Sequence, residues 1–267
     1  MWEESLEAAA RRKVVWLVGA VVVVALALGG WFWYRSHAAA PAVPVQAAAP
    51  APPPSSEAQI SHPIAAEADA AALPALNDSD PVAHDSLAGV IGREPVEQFL
   101  VPQNIVRHIV VTVDNLPRKK LAVELRPVKP TAGQTVAATQ GELTTLSPDN
   151  FARYAPLMRV LEKTDVKALA VVYQRLYPLF QQAYEDLGYP GKYFNDRLVE
   201  VIDQLLQTPE ITTPIQLTQP KVFYEYADPD LENRPAGQKL LIRMGPANER
   251  LIKAKLRDFR AEIVKKK

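Results

Sequence analysis

The residue types best suited to chemistry gather around one turn. Gly188-Tyr189-Pro190-Gly191 leads directly into Tyr193, Asn195, Asp196 and Arg197, so phenols, an amide, a carboxylate and a guanidinium share a short stretch. Aromatic and arginine side chains on a stiffened loop suit recognition of a sugar, a peptide or another protein. Asp114, Asn115 and Arg118, at the end of a separate expected helix, are candidates to join them. The competing structural role is that Tyr189 and Tyr193 staple a helical hairpin while Asp196 and Arg197 fix its turn.

Acid–base chemistry is the alternative. Asp196 and Glu200 share one helical face, with Asp203 a turn further on and Glu185-Asp186 closing the preceding helix. Glycoside cleavage needs two carboxyls about 5–10 Å apart across a cleft, and sequence spacing does not show such a pair. An Asp in a first helical turn also complements the helix dipole with no catalytic role. Other chemistries are poorly supplied. Residues 76–267 hold three serines, Ser79, Ser86 and Ser147, none within Gly-x-Ser-x-Gly, and two scattered histidines, His84 and His108. The chain has no cysteine, which removes thiolate chemistry and Cys-type zinc sites. Neither a Gly-x-Gly-x-x-Gly fingerprint nor a Gly-Lys-Ser/Thr phosphate loop occurs. No catalytic residue, cofactor or metal is therefore assigned. Residues 76–267 carry 26 Lys plus Arg against 24 Asp plus Glu, a balance that argues against nucleic acid as a partner.

The elements that must position these residues read as mainly helical. Ser79-Asp80-Pro81 opens a helix that Gly92 closes, a second runs from about Glu94 to Leu100, and a third from Asn104 to about Leu116. Leu121, Val123 and Leu125 alternate, and Gln140-Gly141 marks a turn, so short strands and one small hairpin are expected. Ser147-Pro148-Asp149 should start a helix reaching Lys163. Thr164-Asp165 caps the longest helix, Val166 to Leu187, with Leu169, Val172, Leu176, Leu179, Phe180, Ala183 and Leu187 on its core face. Gly188 ends it, and a helix carrying Phe194, Leu198, Val201, Ile202 and Leu205 follows. These two should pack as an antiparallel hairpin and form the core. Lys221–Tyr226 is an expected strand, and helices at about 236–244 and 247–264 close the chain. On the last, Arg250, Lys253, Arg257 and Arg260 form a basic stripe suited to anionic headgroups.

Upstream lies a different kind of sequence. Residues 14–34 are 21 in number and uncharged. As a helix they would be about 31 Å long, against a hydrocarbon layer about 30 Å thick. Trp16 lies near one end and Trp31, Trp33 and Tyr34 at the other, as an aromatic belt would. Arg11, Arg12 and Lys13 outweigh the single Arg35, which predicts residues 1–13 in the cytoplasm and the C-terminal domain on the periplasmic side of a bacterial inner membrane. A cleaved signal peptide ending near Ala38-Ala39-Ala40 is the other reading, opposed by the length of the apolar run. Residues 35–75 follow as a linker; its 38–75 stretch holds 16 Ala and 8 Pro and no Gly, Lys or Arg, the composition of a disordered tether.

Several strings stand together: Thr112-Val113-Asp114-Asn115-Leu116-Pro117-Arg118, Arg126-Pro127-Val128-Lys129-Pro130, Tyr184 through Leu198, and Pro235 through Pro246. With these the chain resembles, over about residues 76–263, a family of proteobacterial proteins classed only as a domain of unknown function, number three thousand and fourteen in that series. The resemblance implies an N-terminal span and a proline-rich linker, and no activity, substrate or catalytic residue. The expectation is thus a mainly α protein: a cytoplasmic N-terminus (1–13), a transmembrane helix (14–34), a disordered Ala/Pro linker (35–75) and a compact helical domain with a small β element (76–267). Its expected role is interaction or scaffolding, with another envelope protein or a cell-wall component as partner. The alternative is a cell-wall-active, glycan-cleaving enzyme using carboxylates near Asp196.

Overall fold

In the computed structural model, residues 60–64 and 73–264 are described. The expected span at 14–34, with Trp16, Trp31, Trp33 and Tyr34, lies outside them. No helix among the described residues is long and apolar enough to cross a membrane.

The described residues form ten α-helices and two antiparallel strand pairs. Helices α1 (Asp80–Ile91), α2 (Arg93–Phe99) and α3 (Ile105–Asn115) come first. Gly92, at φ 91°, lets the chain turn between α1 and α2. Asp80 reaches across to cap α3, accepting the N–H groups of Asn104 and Ile105 at 2.8 Å each. The alternating Leu121–Leu125 stretch is not a strand. Val123–Leu125 is a 3₁₀ turn, and the nearby extended pairing is a single bridge between Leu100 and Val128. Pro127 and Pro130 leave too few N–H donors there for a ladder. The hairpin forms as expected, β1 (Ala137–Gln140) against β2 (Leu143–Leu146) around Gly141.

The helix expected over 147–163 is two helices, α4 (Asp149–Ala152) and α5 (Ala155–Lys163). Pro156 has no N–H to give the carbonyl of Ala152, so the ladder breaks there. Buried Asn150 accepts from Val136 N–H and from Arg153, and donates to the carbonyl of Arg243, fixing the break against its neighbours. Helix α6 (Val166–Asp186) starts where Asp165 accepts from the N–H groups of Lys167 and Ala168. The turn through Gly188 leads to α7 (Phe194–Leu206). Strands β3 (Leu217–Thr218) and β4 (Glu225–Tyr226) pair next, so only the end of the expected Lys221–Tyr226 strand is one; Val222 and Phe223 are exposed. Helices α8 (Pro229–Glu232), α9 (Ala236–Met244) and α10 (Pro246–Ile263) close the domain.

The core is not the α6–α7 hairpin alone. Helix α6 packs more extensively on α3 and α10 than on α7, and α1 covers it as well. Its buried face is correspondingly rotated from expectation: Tyr173, Tyr177 and Tyr184 are inside with Leu176, Leu179, Phe180 and Ala183, while Leu187 is exposed. The apolar periodicity missed this because three tyrosines at helical spacing do the work of aliphatic residues. Tyr173 meets Phe180 at 5.3 Å and Phe259 of α10 at 5.7 Å between ring centroids. Ile105, Val106 and Val110 complete this cluster from α3. Smaller clusters lie around the strands (Leu146, Ile215, Leu217, Tyr226, Ile242) and between α5, α7 and α9 (Met158, Val201, Leu205, Leu241, Met244).

The expected basic stripe of α10 is largely engaged within the domain. Arg260 forms a forked pair with Asp203 at 2.6 and 2.9 Å, and Arg250 reaches Glu210 at 3.0 Å. Lys253 is buried, paired with Glu249 one turn earlier and donating to the carbonyl of Thr208. Three of the four cations of the expected stripe thus have partners within the domain.

Candidate functional site

The turn between α6 and α7 is held by backbone conformation before any side chain acts. Gly188 and Gly191 sit at φ 109° and 74°, where a Cβ would be strained. Gln181 of α6 fastens the turn. Its amide donates to the carbonyl of Lys192 at 2.8 Å, and its oxygen accepts the N–H of Phe194 at 2.9 Å. The first turn of α7 is thereby set against the last turns of α6 and the end of α3.

Between them lies a cavity of about 380 Å³ lined by Asp114, Tyr184, Tyr189, Lys192, Tyr193, Asp196, Arg197 and Glu200. Five of the eight residues expected from sequence line it: Asp114, Tyr189, Tyr193, Asp196 and Arg197. Arg118 borders it through its partners. Asn115 does not take part, because its amide turns back to the carbonyl of Val111 in its own helix at 2.7 Å. Asn195 is fully buried behind the cavity, accepting the Tyr173 hydroxyl at 3.0 Å and donating to the carbonyl of Ile263 at 3.2 Å.

Asp114 is the hub. Its side chain is 2 % exposed and joins three parts of the chain. Arg118 donates to Oδ2 at 2.5 Å, the Tyr189 hydroxyl donates to the same oxygen at 3.2 Å, and Arg197 Nε donates to Oδ1 at 3.2 Å. Arg197 also holds the carbonyl of Asp114 at 3.1 Å and Glu200 at 2.9 Å. Burial would lower the pKa of the Arg197 guanidinium, but its bond to Glu200 and the charges of Glu200 and Asp114 outweigh that and raise it. Burial likewise pushes the Tyr184 hydroxyl up to about 12, against the pull of Arg197. Both shifts favour the ordinary form at neutral pH: the Arg197 guanidinium stays charged and the Tyr184 phenol stays protonated.

The cavity is walled by aromatic faces. Tyr184 and Tyr189 stack with centroids 4.7 Å apart, and the Lys192 ammonium lies 5.6 Å from the Tyr189 ring. Tyr184, Lys192 and Gln181 were not expected from sequence. The signal for Tyr184 was its place seven residues after Tyr177 on one helical face; the other two carried none.

The carboxylates are engaged. Asp196 accepts at both oxygens, from Ser61 N–H at 3.0 Å and His62 N–H at 2.7 Å. Residues 60–64, expected within the tether, thus lie on the domain. Glu200 is paired with Arg197, and Asp114 is held by three donors. Asp114, Asp196 and Glu200 thus each have donors within the domain. Among the described residues no three of His, Asp and Glu gather as a metal-ligand set.

Comparison with known proteins places the chain without assigning it an activity. No curated protein and no solved structure matches it. Residues 105–260 match the model of a family described as Protein of unknown function (DUF3014), and that range holds every residue lining the cavity. The chain belongs to that family.

Proposed function

We propose that this protein is an interaction or scaffolding module: a helical domain held by a single N-terminal span at the bacterial inner membrane, displayed on the periplasmic side, with the Asp114–Glu200 cavity as its recognition face. Another envelope protein or a cell-wall component is the partner the aromatic and charged lining fits. The observation that carries the binding reading is the engagement of Asp114, Asp196 and Glu200 in ion pairs and hydrogen bonds, which makes the cavity a shaped, mixed-charge surface rather than an acid–base centre. The uncharged run at 14–34 and the basic residues before it support the location.

Two measurements test this. A reporter active only in the periplasm should work when fused after Lys267 and fail when fused after Lys13; the reverse pattern overturns the orientation. A photoreactive side chain placed at Lys192 in the full-length chain should give a discrete crosslinked product in cells, and Tyr189→Ala should abolish it. Absence of any such product from folded protein removes the recognition face. Release of glycan fragments from cell wall by the purified chain, lost in Glu200→Gln, would establish the enzymatic alternative instead.

A further inference from the structure

Residues Ile60–Ile64 meet the first turn of α7 in a particular way: every polar contact comes from their main chain. Ser61 and His62 give their N–H groups to Asp196, one to each carboxylate oxygen. Asn195 donates to the carbonyl of His62 at 2.9 Å. Ile64 gives its N–H to the Tyr193 hydroxyl at 2.7 Å, and that hydroxyl donates back to the Ile64 carbonyl at 3.3 Å. Pro63, which has no N–H, falls between the donors His62 and Ile64 at a position from which no donor is asked. The chain bends at Ser61 and His62, which lets two consecutive N–H groups reach one carboxylate. His62 and Ile64 are half-buried while Ser61 and Pro63 are exposed, and Ile64 packs against the main apolar cluster.

The receiving side is built in advance. Asn195 has no exposed surface and is bonded to Tyr173, Tyr177 and Ile263, none of which belongs to the segment. Tyr193 is held against Tyr177 with ring centroids 5.2 Å apart. A buried amide, a carboxylate and a phenol, all within four residues, therefore present acceptors and donors matched to the main chain of this bent segment. Peptide recognition can work this way without a sheet edge: main-chain bonds hold the ligand, and a contact such as that of Ile64 with the apolar cluster chooses its side chains.

We propose that Tyr193, Asn195 and Asp196 form a peptide-binding clamp whose ligand is the segment Ile60–Ile64, and that the clamp of one copy accepts this segment from a second copy of the chain. The inference rests on these contacts alone and goes beyond the envelope reading, since it holds wherever the domain sits. Nothing polar in the segment's side chains ties it to its own clamp. The eight residues from 65 to 72 separate it from the next described residue, enough chain to extend on the order of 30 Å. Covalent linkage favours the segment of the same copy through its high local concentration, so exchange grows as copies are brought together.

The test uses two full-length variants. His62→Pro/Ile64→Pro removes two of the three donors and leaves the clamp intact; Tyr193→Phe/Asp196→Ala removes the acceptors and leaves the segment intact. Neither can close on itself, but a mixture of differently labelled variants should show energy transfer that neither shows alone. A mixture at background level, with both variants retaining the wild-type circular dichroism spectrum, overturns the exchange. A labelled synthetic peptide spanning residues 57–67 supplies a second measurement that needs only the first variant. It should bind His62→Pro/Ile64→Pro about tenfold or more tighter than wild type, whose clamp is already filled. Equal binding to both, or binding to neither, overturns the clamp itself.

Discussion

Asp114 and Glu249 are carboxylates with almost no access to water, at 2 % and 1 % side-chain exposure, and the domain treats them in opposite ways. Asp114 receives donors from Arg118, Tyr189 and Arg197, which belong to different parts of the chain. Glu249 has one cationic partner, Lys253, four residues on in the same helix at 2.7 Å. The consequence appears in the proton affinity of Glu249. Burial pushes its pKa above the ordinary value, and the Lys253 bond offsets this only in part. Equal burial therefore does not mean equal function. A carboxylate with several donors from separate elements positions a surface; one with a single partner on its own helix fills a core and fastens one loop, here through the bond from Lys253 to Thr208.

The largest effect should come from breaking the simpler pair. Lys253→Ala strands Glu249 in the interior and should cost about 3–5 kcal/mol in urea unfolding. Replacing both partners, as Glu249→Leu/Lys253→Met, should be neutral or stabilising by up to about 4 kcal/mol, because two desolvated charges are exchanged for apolar contact. The pair also leaves a signature in pH. With its folded pKa raised, Glu249 binds more protons folded than unfolded as pH climbs above its ordinary value, so its contribution to stability falls through that window. The stability of wild type minus that of the double variant should decline as pH rises from about 4.5. A flat difference would mean that Glu249 is not desolvated as described.

A smaller loss is expected at the hub. Asp114→Ala removes the acceptor for two guanidinium donors and a phenol, but Arg197 keeps Glu200 and the Asp114 carbonyl. About 2–3 kcal/mol should be lost. The difference from the Glu249 pair is where the damage goes. Tyr189 loses its anchor, so hydrogen exchange in the 188–193 turn should rise while the amides of α10 keep their protection. Equal deprotection of both regions would make Asp114 an ordinary core residue and erase the contrast.

The two carboxylates also differ in how far sequence revealed them. Asp114 was found because Asp, Asn and Arg at a helix end looked unlike core, and its expected company of Tyr189 and Arg197 proved to be its hydrogen-bond partners. Glu249 and Lys253 were hidden: a Lys on a charged helix reads as a solvated face, and its burial depends on Thr208, a residue 45 positions away. Helix ends were the local chemistry that was legible. Asp165 caps α6, Gly92 and Gly188 end their helices, and Gly245-Pro246 separates α9 from α10, each for a reason contained in a few residues. What crosses the fold was not. Asn195 looked like a surface recognition residue because nothing nearby announced Tyr173 or the carbonyl of Ile263 around it. Ile60 and Ile64 were lost among the alanines and prolines of a stretch whose average composition describes a tether.

Arg118 offers the finest test of the comparison, because it probes whether the hub's donors are redundant. Its side chain is 54 % exposed, so its ion pair with Asp114 is screened by water and salt on one side. Removing it leaves Asp114 with Arg197 on one oxygen and Tyr189 on the other. Arg118→Ala should then cost less than about 1 kcal/mol, and the loss should shrink further at high salt. Tyr189 would feel the change directly, since its hydroxyl accepts from Arg118 at 3.1 Å while donating to Asp114. The expected result is a nearly unchanged urea midpoint with altered Tyr189 fluorescence or ring resonances. A loss as large as that of Asp114→Ala would mean that Asp114, like Glu249, depends on a single partner, and the distinction between a positioning hub and a core staple would fail.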